Sequence, residues 1–149
     1  MAATREQIMT ALLAQLSGIM AQGVGLVAVG RRVRDPENVP SDQRPALFLV
    51  EHLDSWDRPA PNLPAKRILT VWALLYTDVG TDENLIPMTQ INYFIESIEA
   101  ALAPDMLALN RFTLGGLVFN CMLDGEGIRA AGDTTGKSVA AIPIKIILP

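Results

Sequence analysis

Cysteine, histidine, aromatic and charged residues are all scarce in this chain of 149 residues. The single cysteine, Cys121, excludes a disulfide framework within the chain and favours a reducing compartment. Its place inside an apolar segment predicts a buried small hydrophobic residue rather than a nucleophile. The only histidine, His52, lies at the end of a predicted strand, and no catalytic triad suggests itself around it. We therefore expect no catalytic residues and no enzymatic activity.

A metal site around His52 is an alternative to be weighed. Glu51, Asp54 and Asp57 lie close to it in the sequence and offer carboxylate ligands. One imidazole beside flexible carboxylates and several prolines lacks the second nitrogen or sulfur ligand that such sites normally use. The pattern therefore favours no bound metal, and no other cofactor is predicted.

Charged residues make up 19% of the chain and hydrophobic residues 50%. Globular proteins carry about a quarter charged residues, so apolar residues are in excess here. This excess predicts either a large core or apolar surface that partner subunits cover. The net charge of −4 argues against a general nucleic-acid binder. Because no apolar run is long enough for a membrane span or a secretory signal, we expect a soluble protein without a membrane partner.

Two segments have the apolar spacing of amphipathic helices. Residues 4–20 and 84–102 carry apolar side chains at three- and four-residue steps. Thr4 is the expected N-cap of the first helix, and Gln7 completes a capping box. Both helices are expected to lie on a sheet.

Strand patterns fill most of the remaining chain. Residues 24–29, 45–52 and 66–77 predict strands, and residues 114–123 and 139–148 predict a closing hairpin. The third of these strands is apolar on both faces, which predicts a central strand. Helices would cover one of its faces, and a neighbouring subunit is a candidate cover for the other.

The closing hairpin has a long glycine-rich loop, residues 124–137. Pro143 cannot donate to a ladder, so the last strand is expected near a sheet edge or with its Pro143 N–H side facing outward. Together the elements predict a single α+β domain over residues 1–149. Its sheet is mostly antiparallel, two amphipathic helices pack on one face, and long hairpin loops project from it.

A phosphate-loop motif is the main chemical alternative in that loop. Residues 131–138 fit a relaxed form of the motif in which alanine replaces the first glycine. A true phosphate loop leads into a helix whose N-terminus faces the phosphate. Here Lys137 and Ser138 run into a strand pattern, so a glycine-tolerant hairpin loop is favoured over nucleotide binding.

Three predicted loops carry candidate contact residues. Three arginines in four positions form a basic cluster that is either solvated or bound to an acidic or phosphate group. The proline-rich residues 53–64 predict a projecting arm whose tryptophan either packs back on the sheet or contacts a partner. The candidates for subunit or partner contact are Arg31, Arg32, Arg34, Trp56, Arg58, Glu126, Arg129, Asp133 and Lys137.

A resemblance to a known family runs along nearly the whole chain. It follows the leading helix, the strand Pro45-Ala46-Leu47-Phe48-Leu49, the strand ending Leu74-Leu75-Tyr76, the helix over residues 91–102 closing on Ala103-Pro104-Asp105, and the final Gly132-Asp133-Thr134-Thr135-Gly136 with Ala141-Ile142-Pro143-Ile144. In this order the elements resemble the tail terminator, or tail completion, proteins of long-tailed bacteriophages.

The resemblance implies a structural subunit rather than an enzyme. Such subunits form a six-fold ring that ends growth of the tail tube and offers a surface to the head-side connector. The implied partners are further copies of the chain, the tail-tube protein and the connector, with genome DNA passing through the lumen without specific binding. The implied place is the neck of the virion after assembly in the host cytoplasm. Other head–tail connector or neck proteins have similar folds and form the alternative, followed by a small nucleotide-binding protein.

Overall fold

A computed structural model describes residues 3–131 and 136–149. Within these two ranges the elements are α1 (Arg5–Ser17), β1 (Met20–Ala21), β2 (Val24–Gly25), β3 (Ala28–Gly30), β4 (Ala46–Asp57), β5 (Lys66–Asp78), α2 (Pro87–Ala101), β6 (Asn120–Leu123), β7 (Ile128–Ala131) and β8 (Lys137–Ile147). Short 3-10 turns occur at Pro36–Asn38, Ser41–Gln43 and Met106–Ala108. No helix in the described ranges is both long and apolar enough to cross a bilayer.

The strand β5 lies at the centre of the main sheet, as its two apolar faces predict. The order is β3-β4-β5-β8-β6, and β7 pairs with β8 along the same edge as β6. β3 runs parallel to β4, and the other pairs in this sheet are antiparallel. The prediction of an α+β fold with a mostly antiparallel sheet is therefore confirmed.

The start of α1 forms as its sequence predicts. The Thr4 hydroxyl accepts a hydrogen bond from the Gln7 N–H at 3.2 Å, and Gln7 Oε1 accepts one from the Thr4 N–H at 2.8 Å. This capping box satisfies two of the backbone donors that a helix start leaves free. The helix ends at Ser17, before the expected residue 20, because Gly18 caps it.

Both helices pack on one face of the sheet, which we call the helix face. Alternate residues of the central strands, such as Val71, Leu75 and Ile144, point to this face and are buried. They meet Leu12 of α1 and Phe94 of α2 in one apolar cluster. Burial of this cluster supplies the main driving force for folding.

The opposite face carries a smaller cluster. Phe48 and Tyr76 pack at 5.5 Å between ring centroids, and Val39 covers them from the loop before β4. Below this cluster the strand registers form three cross-strand rows that we call the open face. The rows are Val50–Trp72–Pro143, Leu53–Thr70–Lys145 and Ser55–Ile68–Ile147.

The closing hairpin differs from its prediction. Residues 114–119 are not a strand, because Leu114, Gly115 and Gly116 have positive φ values of 49°, 70° and 94° and form a turn. The expected long loop after β6 instead contains β7, which pairs with β8. On one side, β8 therefore pairs with two short strands one after the other, β6 and then β7, rather than with a single long strand.

β8 is not an edge strand, but the alternative expectation, that the N–H side of Pro143 faces away from a ladder partner, fits the structure. β8 pairs with β5 on one side and with β6 and β7 on the other. The Asp124 N–H donates to the Pro143 carbonyl at 3.4 Å, so the carbonyl of Pro143 faces the gap between β6 and β7. An antiparallel residue directs its N–H and C=O to the same side, so the missing donor lies where no ladder bond is needed.

The arm between β4 and β5 is more regular than its prolines predict. β4 continues through Asp57 and pairs with β5 to the end, with a bulge between Glu51 and Leu53. The prolines Pro59, Pro61 and Pro64 follow the strand and belong to the turn that closes the hairpin. The predicted irregular segment over residues 53–64 thus shrinks to that turn.

Candidate interaction surfaces

The arm presents Trp56 beside a charged pair. The Trp56 side chain is 58% exposed, and the Arg5 guanidinium lies 6.0 Å from its ring. Arg5 Nε also donates to Asp54 Oδ1 at 2.9 Å, which ties the arm to the start of α1. Arg58 donates to the Leu63 carbonyl at 2.9 Å and closes the turn. Trp56 therefore packs on one side and leaves the rest of its ring to solvent.

The three arginines of the cluster make different contacts. Arg31 donates to both Glu6 carboxylate oxygens, at 2.8 and 3.0 Å, and also to Glu51. The Arg31 hydrogen bonds lower the pKa of Glu6 and so keep the pair ionised. The Arg34 guanidinium lies 5.5 Å from the Phe48 ring, whereas Arg32 is exposed. Arg31 is thus engaged within the chain, and Arg32 is the cluster member best placed for a partner.

The third group of predicted contacts surrounds β7. Glu126 is exposed in the turn before this strand, and Arg129 donates to the Asn92 side chain of α2. Lys137 stands opposite Asp78 in the β5–β8 ladder. Asp133 lies outside the described residues. The structure therefore brings Arg129 to the helix face, whereas Lys137 lies on the opposite face of β8. These residues do not form one cluster.

A cavity of about 430 Å³ opens where β6 gives way to β7. Ile95, Ile128, Ile142 and Pro143 supply its apolar wall, and Arg129 lies at its margin. Gly125 faces Pro143 so closely that an added Cβ would lie 3.3 Å from Pro143 Cγ. The cavity is the space that remains where the two short strands leave part of β8 without a ladder partner.

The open face also presents apolar side chains outside the predicted loops. Val50, Trp72 and Ile147 are half-buried by their neighbours within the sheet, and Leu53 is exposed. His52, the extra residue of the β4 bulge, sets its ring edge-on to Trp72 at 6.1 Å between centroids. Both helices lie on the other face, so this surface has no helix over it in the described part of the chain.

One exposed apolar segment lies between the second predicted helix and the closing hairpin, where no element or contact was predicted. The apolar turn, residues 106–109, exposes 84% of Met106, 96% of Leu107 and 80% of Leu109. Large apolar side chains this exposed and this close together mark contact sites. In the sequence this turn is visible only as a short apolar run, Met-Leu-Ala-Leu. The run is too short to predict a helix and lacks the alternation that predicts a strand.

The chemical alternatives have little support in the geometry. Lys137 and Ser138 begin β8, so the lysine leads into a strand and not into a helix. Residues 3–131 and 136–149 contain no group of three or more histidine, cysteine or acidic side chains placed to hold a metal. Burial raises the pKa of Cys121 to about 12, which keeps this thiol protonated and unreactive.

The interaction surfaces are thus the arm, the open face, the apolar turn and the residues around β7. Comparison with known protein families and with characterised protein sequences gives no significant match to this chain.

Proposed function

We propose that this protein is a structural subunit of a bacteriophage tail, a tail terminator that forms a ring on the end of the tail tube. In that role it stops tube polymerisation and gives the head-side connector a surface to join. The proposal extends the resemblance in element order, and no chemical step is assigned to the chain. Its partners are copies of itself, the tail-tube protein and the connector.

The observation that carries the proposal is the open face. Three strands place Val50, Trp72, Leu53, Ile68 and Ile147 on one surface, and neither helix of residues 3–131 and 136–149 covers it. Burial of apolar area is worth about 25 cal/mol per Å², so these apolar side chains favour association, although Thr70 and Lys145 lie in the row between them. A stable interface needs about 800 Å² from each partner, so other surfaces of the subunit contribute as well.

A ring also requires two different patches on each subunit, because its contacts are heterologous. The open face and the arm with Trp56 and Arg58 are different in shape and composition, so one subunit can present both. Tryptophan and arginine are the residues most often found at the energetic centre of interfaces. The arm is therefore our candidate for the contact that reaches a neighbouring subunit or the tube.

The charge of the chain suits a passage for DNA. The net charge of −4 provides no general attraction to phosphate, so DNA in the lumen of such a ring is not held. The basic side chain of Arg32 is exposed and remains a candidate for pairing with an acidic partner protein.

Tube assembly in the presence of the protein tests the proposal. We expect added protein to bind tube ends, seen as a cap by electron microscopy, and to stop further addition of tube subunits. A variant with Trp56→Ala should cap less, whereas Val27→Ala, at an exposed apolar residue outside the arm, should cap normally. Tubes that grow unchanged and bear no cap would contradict the proposal.

The runner-up is a neck protein of another layer. The same experiment separates it, because a head-completion protein binds the connector and leaves tube growth unaffected. Binding to isolated connectors without any effect on tubes would favour that alternative.

A further inference from the structure

The apolar turn, residues 106–109, is held rigidly outward. The Asp105 side chain accepts from the Leu107 N–H at 2.9 Å, and the Asp105 carbonyl accepts from Ala108 and Asn110. Arg111 Nε donates to the Ala108 carbonyl at 2.9 Å. These bonds fix the turn before any partner arrives, which lowers the entropy cost of binding.

The backbone of the turn is also strained in a way that exposes its side chains. Leu109 and Asn110 both have left-handed conformations, with φ values of 59° and 58°. Leucine rarely adopts this region, and such outliers cluster at binding and switching sites. The chain thus keeps an unfavourable conformation and directs three large apolar side chains into water.

A matching groove lies at the opposite end of α2. Val24 of β2, with Leu85, Ile86, Gln90 and Tyr93 around the start of the helix, borders a groove of about 350 Å³. Ile86 is 66% exposed at its rim. None of the residues that line this α2 groove carries a charge. An uncharged apolar plug can enter it without leaving a buried, unpaired ion.

The turn and the groove cannot meet within one molecule. The turn follows the C-terminal end of α2, the groove surrounds its N-terminal end, and a helix of 15 residues separates them by about 22 Å. Between two molecules they can meet, with the turn of one copy in the groove of the next. Such a contact uses two different patches and is therefore heterologous, the kind that closes into a ring or extends as a filament.

We propose that the apolar turn of one copy docks into the α2 groove of a second copy, with Leu107 as the central side chain. The occupant is a second copy because residues 106–110 carry no charge and match an uncharged groove, and because both patches belong to every copy. This inference rests on the self-association in the proposed function and specifies one of its contacts.

Two charged variants test the contact separately. Leu107→Asp disables the turn and leaves the groove intact, and Ile86→Asp does the reverse. Ile86 is the N-cap of α2, where aspartate is a favoured residue, so this change should not unfold the helix. We expect each variant alone to lose self-affinity by about 30-fold or more, the loss typical of a central contact residue. Val27→Asp, at an exposed apolar residue outside the arm, the open face, the apolar turn and the α2 groove, is the matched control and should assemble normally.

Mixing the two variants gives the decisive result. One intact turn and one intact groove remain in the mixture, so we expect a one-to-one heterodimer that grows no further, measured by native mass spectrometry. A second measurement mixes Leu107→Cys with Ile86→Cys and looks for a disulfide-linked dimer. The native Cys121 is buried and should not compete.

Several outcomes would overturn this contact. Assembly of both single variants as in the wild type would exclude it and leave ring formation through other surfaces in place. A mixture that stays monomeric, or a wild type that never self-associates, would also exclude it. Loss of tube-end binding by Leu107→Asp in a protein that stays monomeric would assign the turn to the tube protein instead. Tube capping by the wild type is scored independently, so failure of this contact is distinguishable from failure of the proposed function.

Discussion

Arg44 is a buried cation that holds the loop before β4 onto the sheet. It is only 6% exposed, and it donates to the carbonyls of Val39, Thr77 and Pro36. Its guanidinium lies 5.6 Å from the Tyr76 ring, and burial lowers its pKa from the usual value. The fork shape of arginine suits three separate carbonyls in a way that lysine cannot reproduce.

We predict that Arg44→Met destabilises the protein by about 3 kcal/mol, because the variant leaves buried carbonyls without donors. Equilibrium unfolding in urea measures this change. The control is Arg32→Met at an exposed site, which should shift stability by less than about 0.5 kcal/mol. Equal effects of the two substitutions would contradict the role given to Arg44.

Among the described glycines, Gly136 leaves the least room for a Cβ, because it lies against the turn after β5. Its φ is +75°, and a Cβ built on it would lie 2.0 Å from the Gly80 carbonyl oxygen. We predict that Gly136→Ala costs about 2–4 kcal/mol, since it adds both a clash and left-handed strain. Thermal unfolding checks it against Gly18→Ala, where a Cβ meets nothing within 4 Å. A Gly136→Ala protein as stable as that control would show that Gly136 and Gly80 separate readily.

Residue types alone indicated which side chains carry charge but not where the charge is used. Arg31 belonged to a cluster predicted to face solvent or a partner, yet it pairs with Glu6 and Glu51, 25 and 20 residues away. Trp56 was predicted in an irregular projecting arm but lies in β4, and its contact with Arg5 depends on how α1 lies against this strand. Long-range pairings of this kind follow from packing and leave no local pattern.

At the scale of single elements, the capping box of α1 is the clearest local signal. Thr4→Ala removes the side-chain acceptor for the Gln7 N–H, and we predict a loss of about 1 kcal/mol. Urea unfolding measures the free energy of unfolding of Thr4→Ala, Gln7→Ala and the double variant. The double variant should lose less than the sum of the two single losses, because the two residues form one motif.

The control for the capping box is Thr10→Ala, on the exposed side of the same helix. Alanine has the higher helix propensity, so this variant should be neutral or slightly stabilised. A Thr4→Ala protein that behaves like Thr10→Ala would show that the cap contributes nothing.

Elements with strong local periodicity were predictable, and elements defined by distant partners were not. β5 alternates between two apolar faces over its length, so its central place followed from its sequence. β7 has only four residues, Ile128-Arg129-Ala130-Ala131, inside a glycine-rich segment, and it is a strand because β8 offers an edge there. The apolar turn was missed because its capping by Asp105 and Arg111 is a matter of geometry.

At the scale of the whole molecule, the excess of apolar residues divides between core and surface. The helix face buries one large cluster, whereas the open face, the apolar turn and the α2 groove leave large apolar side chains in water. Three such surfaces on one small subunit fit repeated contacts between copies better than a single binding event. This is the physical basis of the ring that we propose.

We predict that Leu53→Lys on the open face weakens self-association at least about tenfold while leaving the monomer's stability within about 0.5 kcal/mol. Leu53 is 56% exposed, so the charge is solvated in the monomer and desolvated only on assembly. Sedimentation velocity across a concentration series measures the first effect and urea unfolding the second. Val27→Lys, at an exposed residue outside the proposed contact surfaces, should leave assembly unchanged; loss of assembly in both variants would remove the open face from the contact.

The mass of the purified protein in solution, alone and bound to tail tubes, tests most directly whether its apolar surfaces join copies of the chain. Native mass spectrometry should find a closed species of about 97 kDa, six times the 16.1 kDa chain, either free or released from tube ends. A species of 16.1 kDa at every concentration, which also leaves tubes unbound, would contradict the proposed ring.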